Sequence, residues 1–391
     1  THLRRELRGR LVILHGSNLS GSGASDKPGA VQLLIAICGV AAAVFLFAWS
    51  GIYNVAASSG HWAIVEAFLR FGMQNSVALR ARTVVPPSNL GSKDLIQLGA
   101  AHYERGCAVC HGSPIGTGNR VTEAMLPTPP NLMASPRAWS DAELFWIVRH
   151  GIKYTGMPGW LAIERADEVW PVVAFLRALP AMSPAQYRLL AVGPEAQGLS
   201  DERQLDKERS PLRTCASCHG AGEVLPRSAL VPRLHGQAQA FLAKALREYA
   251  VGSRPSGIMQ PIAAALAEAE IVSLAEYYAG ISSTAAAHGT VDEAHAIRGE
   301  QLATRGDAAN RIPACSSCHG PNRVETFPAL ERQSATYMAG QLRLWRSGHN
   351  AATDGAAVMA PIARRLSDRD ISAVTSYYAQ QAPNIAAEKR Q

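Results

Sequence analysis

The sequence predicts an all-α protein with one N-terminal transmembrane helix followed by three helical domains of similar construction. Three features support this prediction: a long uncharged apolar segment near the start, a cysteine and histidine motif that occurs three times, and apolar residues at spacings of three and four. No convincing run of alternating apolar and polar residues suggests a β-strand. With 391 residues, nearly half of them apolar, the chain is long enough for two to four domains.

The apolar segment over residues 31–53 has the length of a membrane-spanning helix, which needs about 20 apolar residues. Trp49 and Tyr53 lie near its end, where aromatic rings favour the membrane interface. Five basic residues and two acidic ones precede it, and an excess of positive charge stays cytoplasmic. We therefore predict a cytoplasmic tail over 1–28, a single transmembrane helix over 29–53 in a bacterial inner membrane, and a periplasmic location for the rest.

A cleaved signal peptide is the alternative interpretation of the same segment. Val55-Ala56-Ala57 resembles a small-residue cleavage site. The charged lead of 27 residues and the apolar run of over 20 are both long for a signal, so the lengths favour an uncleaved anchor. Either interpretation exports the remainder of the chain.

A five-residue motif accounts for six of the seven cysteines; the seventh, Cys38, lies in the apolar segment. The first, fourth and fifth positions of one helical turn share a face, so two thiols and an imidazole point at the same object. This pattern is the attachment signature of c-type haem, in which the thiols add across two vinyl groups and the histidine binds the iron. We therefore predict three covalently bound haem c groups. The three copies are Cys107-Ala-Val-Cys110-His111, Cys215-Ala-Ser-Cys218-His219 and Cys315-Ser-Ser-Cys318-His319.

Three other uses of paired cysteines fit less well. A tetrahedral zinc site pairs one such motif with another or with two histidines, and three motifs about 100 residues apart cannot pair evenly. A thioredoxin-type motif needs a βαβ setting, and structural disulfides do not need the histidine.

Methionine supplies the second axial ligand in many cytochromes c. Met157 lies in a Thr-Gly-Met-Pro loop after the first motif, and Met259 and Met359 each lie 40 residues after the histidine of their own motif. We predict these three as iron ligands. Met338 and His235 align with Leu242 and Glu331 when the second half of the chain is compared with itself, so they are predicted as a core residue and a surface or locally hydrogen-bonded histidine. We interpret the following as packing residues: Met125, Met133 and Met182.

The domains follow from these motifs and from clusters of Gly, Ser, Ala and Pro. Residues 54–92 are predicted to form an amphipathic helix and a linker, the helix either lying on the membrane or contacting a partner subunit. We call the three predicted domains repeat one (93–191), repeat two (192–285) and repeat three (286–391). Repeats two and three align with each other at an offset of 100 or 96 positions, which marks one unit used twice. Predicted helices within them include 141–150, opened by a Ser140 and Glu143 capping box, 237–251, 268–279, 335–347 and 368–379.

These motifs resemble class I cytochromes c throughout residues 93–391. Repeats two and three resemble the two halves of periplasmic dihaem cytochromes c, on Pro-Arg-Leu-His-Gly-Gln at 232–237 and Ser-Gly-Ile-Met-Gln-Pro-Ile-Ala at 256–263. The layout is also similar to the trihaem cytochrome subunits of membrane-bound alcohol, aldehyde and sugar-acid dehydrogenases, and to the cytochromes that feed terminal oxidases. The resemblance implies three class I cytochrome c domains, histidine and methionine ligation of the iron, and electron transfer.

In class I domains a first helix crosses the last one. The resemblance assigns that first helix to residues 95–106 in repeat one and 296–305 in repeat three. Repeat two offers only the charged stretch at 201–208. Pro171 lies inside the last helix of repeat one, where a proline is tolerated only near the first turn.

The formal net charge of +7 overstates the charge of the exported part. Residues 1–27 contribute +3 and residues 28–92 contribute +2, so the three repeats carry +2, which three ferric haems at about −1 each offset. This near-neutral charge argues against nucleic-acid binding.

We interpret the protein as an electron relay at the periplasmic face of the membrane. The donor would be a membrane-bound dehydrogenase or a quinol-oxidising complex, and the acceptor a terminal oxidase, a quinone or a soluble cytochrome c. The alternative is a catalytic haem protein such as a peroxidase. That activity needs an open iron position, whereas three candidate methionines leave none.

Overall fold

The computed structural model of the chain describes residues 29–116, 119–134, 138–193, 211–281 and 293–381. Within those ranges the regular secondary structure is helical, with two isolated bridges between single residue pairs, and the all-α prediction is confirmed. The chain divides into two units, Thr1–Ser59 and Gly60–Gln391. The predicted cytoplasmic tail lies outside the described residues.

The described part of the first unit is dominated by helix α1, Ala30–Ser50. Among the described residues it is the one helix long and apolar enough to cross a membrane, with a mean hydropathy of 2.6. Its residues, including Cys38, are exposed. Gly51 ends it in a left-handed conformation with φ 65°, which glycine adopts without a steric penalty. The length and composition fit a membrane anchor or a signal sequence.

The second unit contains the three cysteine motifs. Its described helices, in chain order, are α2 Ala63–Ala81, α3 Lys93–Gly106, α4 Ala108–His111, α5 Arg120–Glu123, α6 Asp141–His150, α7 Ala166–Ala178, α8 Pro184–Tyr187, α9 Pro211–His219, α10 Gln239–Ala250, α11 Met259–Ala264, α12 Glu268–Ala279, α13 Glu293–Thr304, α14 Ser316–His319, α15 Ala335–Ser347, α16 Ala356–Arg365 and α17 Asp368–Gln380. The helices predicted from apolar spacing and caps agree with these bounds to within two residues.

Helix α2 packs only its C-terminal part against repeat one. Val77 and Ala81 are buried, and the helix contacts α6. The N-terminal aromatic residues Trp62, Phe68 and Phe71 are exposed.

At the start of α6, Ser140 N–H donates to Glu143 Oε2 at 2.8 Å and Glu143 N–H donates to Ser140 Oγ at 3.3 Å, which confirms the predicted capping box.

The first and last helices of repeats one and three cross at glycines, as the resemblance implied. In repeat one, α3 packs on α7, and a Cβ at Gly99 would overlap the Pro171 carbonyl. In repeat three, α13 packs on α17, and a Cβ at Gly299 would lie 2.8 Å from Tyr377 Cβ. Each glycine therefore allows two helix backbones to approach closely. The corresponding segment of repeat two, 201–208, lies outside the described residues.

A proline inside a helix was expected to be tolerated only near the first turn, but Pro171 lies in the second turn of α7. The proline has no N–H to donate to the Asp167 carbonyl. The helix continues because Val172, Val173 and Phe175 are almost fully buried and hold it against the core.

Each repeat has a hydrophobic core of its own. Tyr103, Phe175 and Tyr187 are fully buried in repeat one. Leu274 and Tyr278 belong to the core of repeat two; the core of repeat three is built around Leu302, Ile371 and the predicted core residue Met338, which is 6% exposed.

His235 was expected to be a surface or locally hydrogen-bonded histidine. The surface position is wrong, because the residue is buried. His235 is 7% exposed, with its ring 5.9 Å from that of Tyr278, because the loop after Pro232 turns inward against α12.

Candidate haem sites

Each cysteine motif lies on a single helical turn. In repeats one and three, the histidine N–H donates to the carbonyl of the first cysteine at 2.9 Å, from His111 to Cys107 and from His319 to Cys315. In repeat two the whole motif lies inside α9. The two cysteines and the histidine of each motif therefore have the spacing that places them on one face. The second cysteine of each turn is partly buried: Cys110, Cys218 and Cys318.

All three motif histidines are fixed in the same way by a proline carbonyl. The Nδ1 atom lies 2.8 Å from Pro130 O in His111, 2.9 Å from Pro232 O in His219, and 3.0 Å from Pro328 O in His319. A carbonyl can only accept, so Nδ1 carries the proton and Nε2 keeps its lone pair. This arrangement is typical of histidines that bind a metal through Nε2.

The glycine after the motif allows the chain to turn away. Gly220 has φ +74°, and a Cβ there would overlap the Val224 carbonyl. Its own carbonyl accepts a hydrogen bond from Tyr278 Oη at 2.8 Å, as the carbonyl of Gly112 does from Tyr103 Oη at 2.7 Å. A buried tyrosine thus ties the end of the motif to the core in both repeats.

Repeats two and three open onto one shared cavity of about 410 Å³. That volume falls in the range of about 300–1,000 Å³ typical of small-molecule sites. The candidate methionines and the motif histidines of the two repeats line the same space. The predicted site residues among its lining are Cys215, His219, Met259, Cys315, Cys318, His319 and Met359.

Arg254 also lines the shared cavity, near the carboxylate of Glu248. Arg254 Nη2 donates to Tyr337 Oη at 3.5 Å and to Gln341 Oε1 at 3.3 Å, and its guanidinium lies 4.9 Å from the ring centroid of Tyr249. Arg254 adds a cation to a lining that is largely apolar, which suits a ligand that combines an apolar body with carboxylates. Haem has an apolar macrocycle and two propionates, so the residues of the cavity fit it.

The candidate methionine of repeat one lies in a tightly closed loop. Ile152 N–H donates to Met157 O at 3.3 Å and Met157 N–H to Thr155 Oγ1 at 3.1 Å. Gly151 has φ +64°, and a Cβ there would lie 2.6 Å from Met157 O, so the closure depends on glycine. Met157 does not line the cavity of repeats two and three.

Burial sets the protonation of the motif side chains. It lowers the pKa of His219 and of His319, although the proline carbonyl opposes this, and so favours the neutral imidazole that iron binds. Burial also raises the pKa of the Cys107 thiol to about 12 and of the Cys215 and Cys315 thiols to about 11.

Two glutamines that the sequence reasoning did not single out join repeats two and three. Gln237 donates to Ala329 O at 2.8 Å and accepts from Ala329 N–H at 2.9 Å. Gln333 donates to Arg233 O at 3.0 Å and accepts from Arg233 N–H at 2.9 Å. The internal alignment pairs Gln237 with Gln333 at an offset of 96, so that signal was present in the sequence.

Comparison with known proteins agrees with this chemistry. The family described as "Cytochrome C oxidase, cbb3-type, subunit III" matches residues 94–176. The chain is 38% identical over 171 residues to the thiosulfate dehydrogenase electron acceptor of Thiomonas intermedia, covering 43% of this chain and 78% of that protein. It is 34% identical over 167 residues to cytochrome c4 of Pseudomonas aeruginosa, covering 42% of this chain and 81% of that protein.

A solved structure of cytochrome c4 from Acidithiobacillus ferrooxidans covers 43% of this chain and 98% of its own, at 29% identity and a TM-score of 0.39. The sequence relatives and the motif chemistry carry the assignment. The chain belongs to the cytochrome c family and is a multihaem c-type cytochrome, with covalently bound haem c and a role in electron transfer.

Proposed function

We propose that this chain is a trihaem, membrane-anchored cytochrome that relays electrons at the periplasmic face of a bacterial inner membrane. The proposal assigns one haem to each repeat, with domain bounds at 93–191, 192–285 and 286–391. The anchor would span 29–53 and the segment 54–92 would connect it to repeat one. In each repeat the two motif cysteines hold the haem, and the motif histidine and one methionine bind the iron: His111 with Met157, His219 with Met259, and His319 with Met359.

One observation carries this proposal: three separate motif turns present a histidine whose Nδ1 atom is held by a proline carbonyl. A chance Cys-x-x-Cys-His sequence would not repeat that second contact. In two of the three repeats the paired methionine lines the same cavity as its histidine.

When bound, haem iron exchanges one electron without a change in covalent bonds. The residues of this chain hold the group and limit its chemistry. The two cysteines of a motif would hold the haem by two thioethers and prevent its loss, and the motif histidine and the methionine would both bind its iron. The relay would therefore pass electrons without binding a substrate, which is the physical basis for preferring it to a peroxidase.

The proposed electron donor is a dehydrogenase. Relatives in Thiomonas intermedia and Stutzerimonas stutzeri are named thiosulfate dehydrogenase electron acceptors, which supports a dehydrogenase of that kind. The proposed acceptor is a terminal oxidase, and the match of residues 94–176 to an oxidase subunit family supports it. A quinone or a soluble cytochrome c remains a further partner within the proposal.

The haem count is tested by motif variants. Replacing both cysteines of one motif by alanine should remove one haem of three, measured as haem per polypeptide after alkaline pyridine treatment. Cys38→Ser is the matched control, since this cysteine lies outside the motifs, and should retain all three. A double variant that keeps three haems would remove that motif from the assignment.

The methionine ligands are tested one at a time. Met157→Ala, Met259→Ala or Met359→Ala should each weaken the ferric methionine–iron charge-transfer band and lower the reduction potential of one haem. Met182→Ala, which packs against the core of repeat one, is the control for lost packing and should leave the band intact. Rapid stoichiometric binding of carbon monoxide to the reduced native protein would reveal an open iron and favour the peroxidase.

The anchor is tested by truncation at Gly60, the first residue of the second unit. With a cleavable export signal, the shortened protein should acquire haem and remain in the soluble fraction. The full-length protein should resist extraction by carbonate, and its release under those conditions would contradict the anchor.

A further inference from the structure

A buried carboxylate of repeat one has no role in the haem sites described above. Glu168, in the first turn of α7, is 7% exposed. Its Oε1 atom accepts a hydrogen bond from Ser256 Oγ at 2.6 Å and forms an ion pair with Arg165 Nη2 at 2.9 Å. Its Oε2 atom accepts from the Gly257 N–H at 2.7 Å and from Trp160 Nε1 at 3.3 Å. A buried carboxylate is costly unless it is paired and hydrogen-bonded, so these three donors and the ion pair fix the position of the group.

Two of the three hydrogen-bond donors belong to repeat two and lie two and three residues before Met259. Ser256 is 1% exposed, and while its hydroxyl donates to Glu168, its Oγ atom accepts from the N–H groups of Ile258 at 3.2 Å and Met259 at 2.9 Å. A carboxylate of repeat one is therefore connected through one hydroxyl to the backbone of the candidate iron ligand of repeat two.

The indole of Trp160 completes the same contact. A Cβ at Gly257 would overlap the Trp160 ring, so only glycine leaves room for it. Trp160 lies three residues after Met157, and Gly257 lies two residues before Met259. The contact thus joins the loops that carry the candidate methionines of repeats one and two.

The equivalent loop of repeat three shows what this contact requires. At an offset of 100, Ala356 and Ala357 stand where repeat two has the serine and the glycine. Ala356 offers no hydroxyl, and Ala357 has a Cβ, the atom for which the Trp160 ring leaves no room at Gly257. The Met359 N–H donates to Gly355 O at 2.9 Å, inside its own repeat.

We propose that Glu168 is a positioning residue for the Met259 loop, and that the contact of this loop with Trp160 is the route for electrons between the haems of repeats one and two. The inference rests on the proposed assignment of Met157 and Met259 as iron ligands. An electron that crosses the contact oxidises one ferrous iron to ferric and reduces the other from ferric to ferrous. No bond forms or breaks and no proton moves.

The positioning role is tested with Glu168→Gln, which keeps the shape of the side chain, and with Ser256→Ala. Both should shift the reduction potential of the second haem and weaken its methionine–iron band, while the third haem serves as an internal reference. The measurements are a spectroelectrochemical titration and the ferric spectrum of the three-haem protein. Equal shifts at all three haems, or none, would overturn the positioning role.

The route is tested with Gly257→Ala and Trp160→Leu. Both should slow electron equilibration between the first and second haems after rapid photoreduction, and leave exchange between the second and third haems unchanged. Trp170→Leu is the matched control, because Trp170 stacks on Phe145 within repeat one at 4.3 Å. An unchanged rate in Trp160→Leu at full haem content would refute the route.

The Met259→Ala variant separates this inference from the proposed function. If Met259→Ala leaves the spectrum unchanged, the ligand assignment fails and the inference falls with it. If Met259→Ala abolishes the band of one haem while Glu168→Gln and Trp160→Leu behave as the native protein, the relay stands and this inference alone is wrong.

Discussion

Two of the contacts between repeats are built from different chemistry. Repeats two and three are joined by paired glutamine side chains, each of which donates to and accepts from one backbone residue of the other repeat. Repeats one and two are joined through Glu168 and Arg165, an ion pair of repeat one. Glu168 accepts hydrogen bonds from Ser256 Oγ and the Gly257 N–H, and the Arg165 guanidinium donates to Pro255 O at 2.8 Å. The glutamine contact uses neutral groups, and its two halves are related by an approximate local two-fold symmetry. The Glu168 contact is charged, and both of its charges belong to repeat one.

The comparison indicates that one contact between repeats only holds them together, whereas the other also acts on the loop of a candidate ligand. A neutral amide pair costs little when both partners are removed together, so it holds two repeats without influencing the charge around them. A buried carboxylate is expensive and acts over a longer distance. Glu168 lies where the loop of the candidate ligand Met259 contacts the neighbouring repeat.

The largest expected effect comes from breaking the charged contact. Glu168→Ala should lower the free energy of unfolding by about 3–5 kcal/mol, because the Ser256 hydroxyl and the Gly257 N–H lose their buried acceptor and Arg165 keeps only its ion pair with Asp167. Denaturant titration followed by far-ultraviolet circular dichroism measures the change. Glu66→Ala is the control, since its ion pair with Arg70 on α2 is exposed, and it should cost under about 1 kcal/mol. Equal losses in the two variants would contradict the distinction.

The neutral contact should respond more weakly. Gln333→Ala removes the two hydrogen bonds to the Arg233 N–H and carbonyl and should cost about 1–3 kcal/mol. Gln237→Ala should cost a similar amount, because it makes the corresponding two bonds to Ala329. The same denaturant titration applies to both variants. Markedly different losses would show that the two halves of the contact are not equivalent.

A double-variant cycle separates charge from shape in the first contact. Arg165→Met combined with Glu168→Leu should be less damaging than the sum of the single variants, with a coupling of about 0.5–3 kcal/mol. The reason is that neither charge remains buried alone. Strict additivity would mean that the ion pair contributes little beyond the hydrogen bonds to Ser256 and Gly257.

The smallest effect is expected at a partly exposed ion pair inside repeat three. Hydrogen bonds from Arg298 and Asn310 lower the pKa of Asp307 from 3.8 to about 2. Because the folded pKa lies below the unfolded value, the contribution to stability is complete above about pH 5 and is lost as the pH falls through 3.8 towards 2. The stability difference between the native protein and Asp307→Asn should shrink over that interval. A difference independent of pH would refute the assignment.

Much of the fold could be predicted because it depends on local sequence. The Ser140 and Glu143 capping box, the last helices of repeats two and three, and the core position of Met338 all follow from spacing within a few residues or from the internal repeat. Pro171 and His235 were placed less well. Their positions depend on burial against other elements, which outweighs the local preference of either residue.

The sequence by itself determined the chemistry of the centres: which cysteines and histidines share a helical turn, and which methionines follow at a matching distance. Local geometry is enough for this, since one turn places those side chains on one face. The tertiary structure alone decided which carbonyl fixes each histidine, that two repeats share one cavity, and that Glu168 reaches the loop of Met259. Glu168 is 88 positions from Ser256 and 89 from Gly257, and no local pattern links such residues. They meet because burying the apolar faces of separate repeats brings their loops together, and the buried carboxylate then takes the donors it finds there.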